Sequence, residues 1–93
     1  MKISVNLIMP EICRFYGIII KMYFNDHNPP HFHTEYLGYK ATVSIEAGIV
    51  EGKMPKRVLN LIFEWLEIHR EELMKNWLSM EDSGEYSKIE PLK

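Results

Sequence analysis

The chain has 93 residues, 46% hydrophobic and 26% charged, with a net charge of −2. That length supports one domain with a modest core, and the composition excludes a disordered chain and any global electrostatic pull towards nucleic acid. The lone Cys13 excludes an intramolecular disulfide and fits a reducing cytoplasm; no apolar run nears the roughly twenty residues of a membrane span, and none at the start suits a signal peptide.

In chain order, residues 1–8 read as an N-terminal extension or a short edge strand, interrupted at Met9-Pro10. Gly17 marks a bend or bulge, and Arg14 is the one strongly placed cation before the centre of the chain. Ile18 to Phe24 alternates as a strand, with Ile18, Ile20, Met22 and Phe24 on one face. Asp26-His27-Asn28-Pro29-Pro30-His31-Phe32-His33 follows, holding three of the four histidines. Two prolines fix φ and remove two backbone donors, so this is a stiff loop rather than helix or central strand. Phe32, Thr34 and Tyr36 then share one strand face, and His31, His33 and Glu35 the other. Leu37-Gly38 is a two-residue hairpin turn. The next strand points Ala41, Val43 and Ile45 inward, Ala47-Gly48 turns, and Ile49 to Gly52 is a further short strand.

Keeping apolar residues on one face predicts the register. The Leu37-Gly38 turn pairs Tyr36 with Tyr39, Glu35 with Lys40 and His33 with Thr42. For the preceding hairpin, Phe24 opposite Phe32 places Tyr23 beside His33 and Lys21 beside Glu35. From Pro55, the spacing of Leu59, Ile62, Leu66, His69, Leu73, Trp77 and Met80 predicts one helical face that covers the apolar side of the sheet, with Val58, Phe63 and Trp65 widening it. Gly84 stops the helix, and residues 83–93 form a tail with Ile89 and Leu92 as anchors. The predicted fold is therefore α+β: a single domain over 1–93, an antiparallel meander of three to five strands under one long C-terminal helix. A helix of that length, about 40 Å, should overhang so small a sheet. Trp77 and Met80 are then expected to be exposed and to form an interface, with a second copy or another protein.

Three chemistries suit the histidine loop. A metal-free ribonuclease would use His27, His31 and His33 as proton donors and acceptors, with Arg14, Lys21 and Tyr23 around the phosphate. A metal site would use Asp26, His27, His31 and His33 as ligands for zinc or another divalent transition metal. A structural loop in an interaction module needs neither. No cofactor motif is present. His69 reads as a packed, hydrogen-bonded histidine and Cys13 as core filler. Residues 1–60 carry seven Lys/Arg against five Asp/Glu and residues 61–93 four against eight; the mildly basic half containing the loop suits a phosphate-bearing ligand such as RNA.

The stretches Arg14-Phe15-Tyr16-Gly17-Ile18, Met22-Tyr23-Phe24-Asn25-Asp26-His27-Asn28-Pro29-Pro30-His31-Phe32-His33-Thr34-Glu35-Tyr36, Gly52-Lys53-Met54-Pro55-Lys56-Arg57, Glu64-Trp65-Leu66 and Asn76-Trp77 carry a resemblance over about Met9 to Leu92. Together they resemble a family of short bacterial proteins catalogued as a domain of unknown function. The resemblance implies a setting, since such genes often stand beside a second small gene in an arrangement that suggests a toxin–antitoxin pair. The implied partner is the neighbouring gene's product. The resemblance brings no activity and no catalytic residues.

Overall fold

Two tight turns set the sheet. Tyr16 and Gly17 have φ of 50° and 80°, and Leu37 and Gly38 have 45° and 87°. Positive φ at both central residues marks the hairpin turn whose twist matches that of paired strands, and glycine takes the second position without steric cost. The structure, a computed structural model, describes residues 10–93. Its elements are β1 (Glu11–Phe15), β2 (Ile18–Lys21), β3 (His31–Tyr36), β4 (Tyr39–Ser44), β5 (Val50–Gly52) and α1 (Lys56–Asp82). The strands form one antiparallel meander in the order β1-β2-β3-β4-β5. The α+β expectation holds. β1 was not foreseen as a strand, and the strand expected within residues 1–8 lies outside the described residues.

The β3–β4 register is the expected one, with Tyr36 opposite Tyr39, Glu35 opposite Lys40 and His33 opposite Thr42. The β2–β3 register is corrected. Lys21 stands opposite His33 and Ile19 opposite Glu35, so β2 ends at Lys21 rather than Phe24. The strand has slipped by two residues, which leaves every side chain on its expected face. The slip lengthens the connecting loop, and that loop carries Asp26 back to His33. Diagonal contacts survive it: Lys21 Nζ reaches Glu35 at 3.2 Å, and the Tyr23 ring stacks on His33 at 4.1 Å. At the other edge Gly52 has φ +110°, and a Cβ there would lie 2.5 Å from the Lys40 carbonyl oxygen. Only glycine lets β5 approach β4 this closely.

The inner sheet face and α1 share one core. Ile12, Ile18, Ile20, Phe32, Val43 and Ile45 are fully buried, as are Ile62 and Trp65 of the helix. The Trp65 ring lies 5.5 Å from Phe15 and 5.7 Å from Phe32. Truncating a side chain in this layer leaves a cavity that neighbours on three strands cannot fill. Phe32→Ala and Val43→Ala are each expected to lose about 2–4 kcal/mol in urea denaturation. His33→Ala, on the outer face, is expected to cost far less in the same measurement.

The second half of the helix is not left bare. His69 has non-helical angles (φ −116°, ψ 20°), and the axis kinks there. Its ring packs 5.6 Å from Trp65, and its Nδ1 meets the Glu72 carboxylate. Arg70, one residue on, donates from Nε to the Ile45 carbonyl at 2.9 Å and ties the bend to the end of β4. Beyond the kink the tail folds back. Asn76 donates to the Ser87 carbonyl at 2.8 Å and accepts from the Ser87 N–H at 2.9 Å. Trp65 Nε1 donates to the Glu90 carbonyl at 2.8 Å, and the Ile89 N–H to the Ile12 carbonyl at 3.0 Å. Ile89 and Leu92 are buried anchors, as expected, whereas Trp77 and Met80 are only 3% exposed each. The expectation that those two residues form an exposed interface is thereby corrected: both lie in the core cluster of this chain, Trp77 against the His31 ring.

Candidate functional site

The loop between β2 and β3 is shaped by its own residues. Asn25 takes φ 56°, a left-handed conformation that asparagine tolerates, and the Asn28–Pro29 peptide is cis. The Asp26 carboxylate accepts the His27 N–H at 2.9 Å through Oδ1. Its Oδ2 lies 3.0 Å from His31 Nε2 and 3.1 Å from His33 Nε2. His27 Nε2 lies 3.8 Å from Oδ1. One carboxylate thus gathers the three imidazoles of the loop.

The outer nitrogens of two rings are anchored by backbone. His31 Nδ1 lies 2.7 Å from the Pro29 carbonyl oxygen, and His27 Nδ1 lies 3.2 Å from that of Asn28. A carbonyl only accepts, so each Nδ1 carries the proton. A neutral ring held this way presents a lone pair at Nε2, and both Nε2 atoms face Asp26. Two acceptors at 3.0 Å, as at His31 and Asp26, require a positive centre between them. That centre is a second proton on the ring or a cation. Burial pushes the Asp26 carboxyl up. The His33 hydrogen bond, the His27 N–H and the positive charge of His31 and His33 outweigh it and hold the group below the usual carboxylate range.

A divalent ion resolves the same arrangement with one charge centre. Tetrahedral zinc at about 2.0–2.1 Å from its ligands sets ligand–ligand edges of roughly 3.3 Å, and the separations from Asp26 to the rings run from 3.0 to 3.8 Å. Ligand atoms of Asp26, His27 and His31 all lie within 4.8 Å of one another, and His33 shares the Asp26 oxygen with His31. Carbonyl-anchored Nδ1–H groups are the outer partners that metal-bound histidines ordinarily carry.

Residues around the cluster fix it from two sides. His31 is 6% exposed, and its ring packs 5.3 Å from Trp77, brought there by the kinked helix. His33 stacks on Tyr23. The other residues foreseen for the site stand apart. Lys21 is beside His33 in the ladder, but its ammonium is taken by Glu35. Arg14 lies on β1 opposite Ile19, exposed, with its guanidinium on Glu11 at 2.7 and 2.9 Å. The structure brings together Asp26, His27, His31, His33 and Tyr23, and it leaves Arg14 two strands away. Cys13 is buried in the core, and burial raises its thiol pKa, as suits a packing residue.

Residues 17–78 match the family model of a domain of unknown function, DUF4160. The chain belongs to that family. The matched span holds the whole histidine loop, β2 to β5 and the helix as far as Leu78, so every candidate ligand and the Trp77 behind His31 fall inside the family's domain. No curated protein and no solved structure matches the chain. Among the described residues no helix is long and apolar enough to cross a membrane.

Three parts of the site escaped the sequence reading. The Pro29 carbonyl has no side-chain signal. Trp77 read as an exposed residue because the kink was not foreseen. Ser44 and Glu51 border the cluster across the sheet: Ser44 pairs with His31, and Glu51 ends the row Lys21–His33–Thr42–Glu51. Continuing the predicted row by one strand would have found Glu51.

Proposed function

We propose that this protein is a metal-binding domain that holds one late first-row divalent cation, with zinc the leading candidate, through Asp26, His27 and His31, with His33 beside them on the Asp26 oxygen. The observation that carries the reading is His31: its Nδ1 proton is committed to the Pro29 carbonyl while its Nε2 faces a carboxylate oxygen at 3.0 Å. Two imidazole nitrogens and one carboxylate oxygen suit a borderline cation and not calcium or magnesium, which prefer all-oxygen shells.

The metal-free ribonuclease reading draws less support from the same geometry. A general base needs its free nitrogen within reach of a substrate hydroxyl. Here the Nε2 atoms of both His31 and His33 face inward to Asp26, and the His31 ring is buried. For the setting, we keep the two-gene arrangement, with the neighbouring gene's product as partner and the histidine loop as the working part of an effector.

Zinc titration followed calorimetrically tests the reading. One equivalent is expected to bind, and the melting temperature to rise as zinc binds the folded state only. Heat of binding absent at micromolar protein, with an unchanged melt, would remove the proposal. Expression with and without the neighbouring gene tests the setting: growth inhibition that His31→Ala relieves is expected, and inhibition that persists in the variant would detach the loop from the effect.

A further inference from the structure

The imidazole cluster borders a cavity of about 200 Å³ on the outer face of the sheet. Its walls include His27, His31, His33, Thr42, Ser44 and Glu51. We propose that the metal has an exchangeable position facing this cavity, and that the position takes a singly charged phosphoryl group, the phosphodiester class. This rests on the metal reading above and adds the substrate.

The direction of the open position follows from burial. Asp26 and His31 have side chains only 12% and 7% exposed, whereas His27 is 84% and His33 26% exposed. The inner side of the ion is thus closed by the carboxylate, the His31 ring and Trp77 behind it. An incoming ligand therefore approaches from the side of His27 and His33, where the cavity lies.

The charge of the ligand follows from the donors. Neutral imidazoles and one carboxylate leave a dication with one net positive charge, which favours an anion. Two hydroxyls complete the recognition. Ser44 Oγ accepts the Ile49 N–H at 2.8 Å, so its own O–H is free to donate elsewhere. Thr42, between His33 and Glu51 in the cross-strand row, presents a second hydroxyl. A metal ion and two hydroxyl donors in different directions match a tetrahedral oxyanion, which offers oxygens out of one plane, better than a planar carboxylate. The far wall carries the opposite sign. Glu51 would repel a second negative charge on the ligand, so a diester with one charge is preferred over a dianionic monoester.

Cobalt-loaded protein gives the test, because a four- or five-coordinate cobalt centre has a visible band that responds to its ligands. Dimethyl phosphate and methyl phosphate are titrated at pH 8 into the native protein, Thr42→Val and Glu51→Gln. Dimethyl phosphate is expected to shift the band saturably in the native protein. Thr42→Val should weaken both ligands about tenfold, the loss of one hydrogen bond to a charged group, with cobalt affinity unchanged. Glu51→Gln should tighten methyl phosphate severalfold more than dimethyl phosphate. Circular dichroism melts establish that both variants fold. A cobalt band that neither ester shifts, esters unaffected by Thr42→Val, or a Glu51→Gln effect equal for both charges would overturn the inference and leave the metal reading standing. Absence of any cobalt band would overturn both.

Discussion

His31→Ala is expected to weaken zinc binding by more than a hundredfold while the protein stays folded. Loss of an outer-shell partner alone typically costs ten- to a hundredfold in affinity, and His31 is more central than that. Its Nε2 is one of the two nitrogens nearest Asp26, its Nδ1 is fixed by the Pro29 carbonyl, and its ring is clamped by Trp77. The alanine removes a ligand and also the ring that closes the inner side of the site. Asp26→Asn keeps the size of the group but removes its charge, and it is expected to fall between the native protein and His31→Ala. Arg14→Ala is the control. Arg14 is exposed and engaged with Glu11, so its loss should leave zinc affinity unchanged. Calorimetric titration of the four proteins checks the order. An affinity for His31→Ala within a few-fold of native would show that the imidazoles gather around Asp26 for structural reasons alone.

Trp65→Ala is expected to cost about 3–5 kcal/mol, the largest effect of any single truncation in the core. For a domain of this size that is a large share of the total stability. The indole is fully buried and touches the aromatic rings of β1 and β3, and its N–H holds the Glu90 carbonyl of the tail. Trp65→Phe keeps most of the packing and loses only that hydrogen bond, so it separates the two contributions. Its cost should be about 1–2 kcal/mol. Guanidinium denaturation of the three proteins gives the comparison. A Trp65→Phe loss as large as that of Trp65→Ala would mean that the tail attachment, not the sheet-facing packing, dominates.

The parts of this fold that were legible in the sequence are those set by period and turn chemistry. Alternation in β2, β3 and β4 placed Phe32 and Val43 inside and His33 outside, and that is where they are. The two-residue turn at Leu37-Gly38 leaves one register for β3 and β4. The loop between Lys21 and His31 imposes no such constraint. Parity alone cannot distinguish pairings that differ by two residues, so the β2 register slipped without any side chain changing face. The helix stripe was legible along its whole length, since Ile62, Leu66, Leu73, Trp77 and Met80 are all buried. The kink at His69 was not, because neither proline nor glycine marks it; it coincides with contacts of His69 to Trp65 and Glu72 within the helix and with the Arg70 hydrogen bond to the Ile45 carbonyl. Missing the kink made Trp77 and Met80 read as exposed. Asn76 escaped for a related reason: a polar residue beside a helical stripe reads as solvated, and only the returning Ser87 shows that it is a buried clamp.

For the site, residue types and spacing named Asp26, His27, His31 and His33 as a possible ligand set. They could not show that one carboxylate oxygen lies within 3.1 Å of two ring nitrogens, or that backbone carbonyls fix the outer nitrogens of His27 and His31. The structure places these groups on one another, the geometry on which the proposed metal reading rests. In the proposed metal site, the exposure of His27 and His33 is what would distinguish an ion that exchanges a ligand from a purely structural one enclosed on all sides.

X-ray absorption at the zinc edge, on protein loaded with one equivalent and passed through a desalting column, tests the metal centre most directly. The proposed metal centre is expected to retain zinc with nitrogen and oxygen neighbours at about 2.0–2.1 Å, to show outer-shell scattering from two or three imidazoles, and to lose scattering in His31→Ala. Zinc lost on the column, or retained with no imidazole scattering, would contradict it.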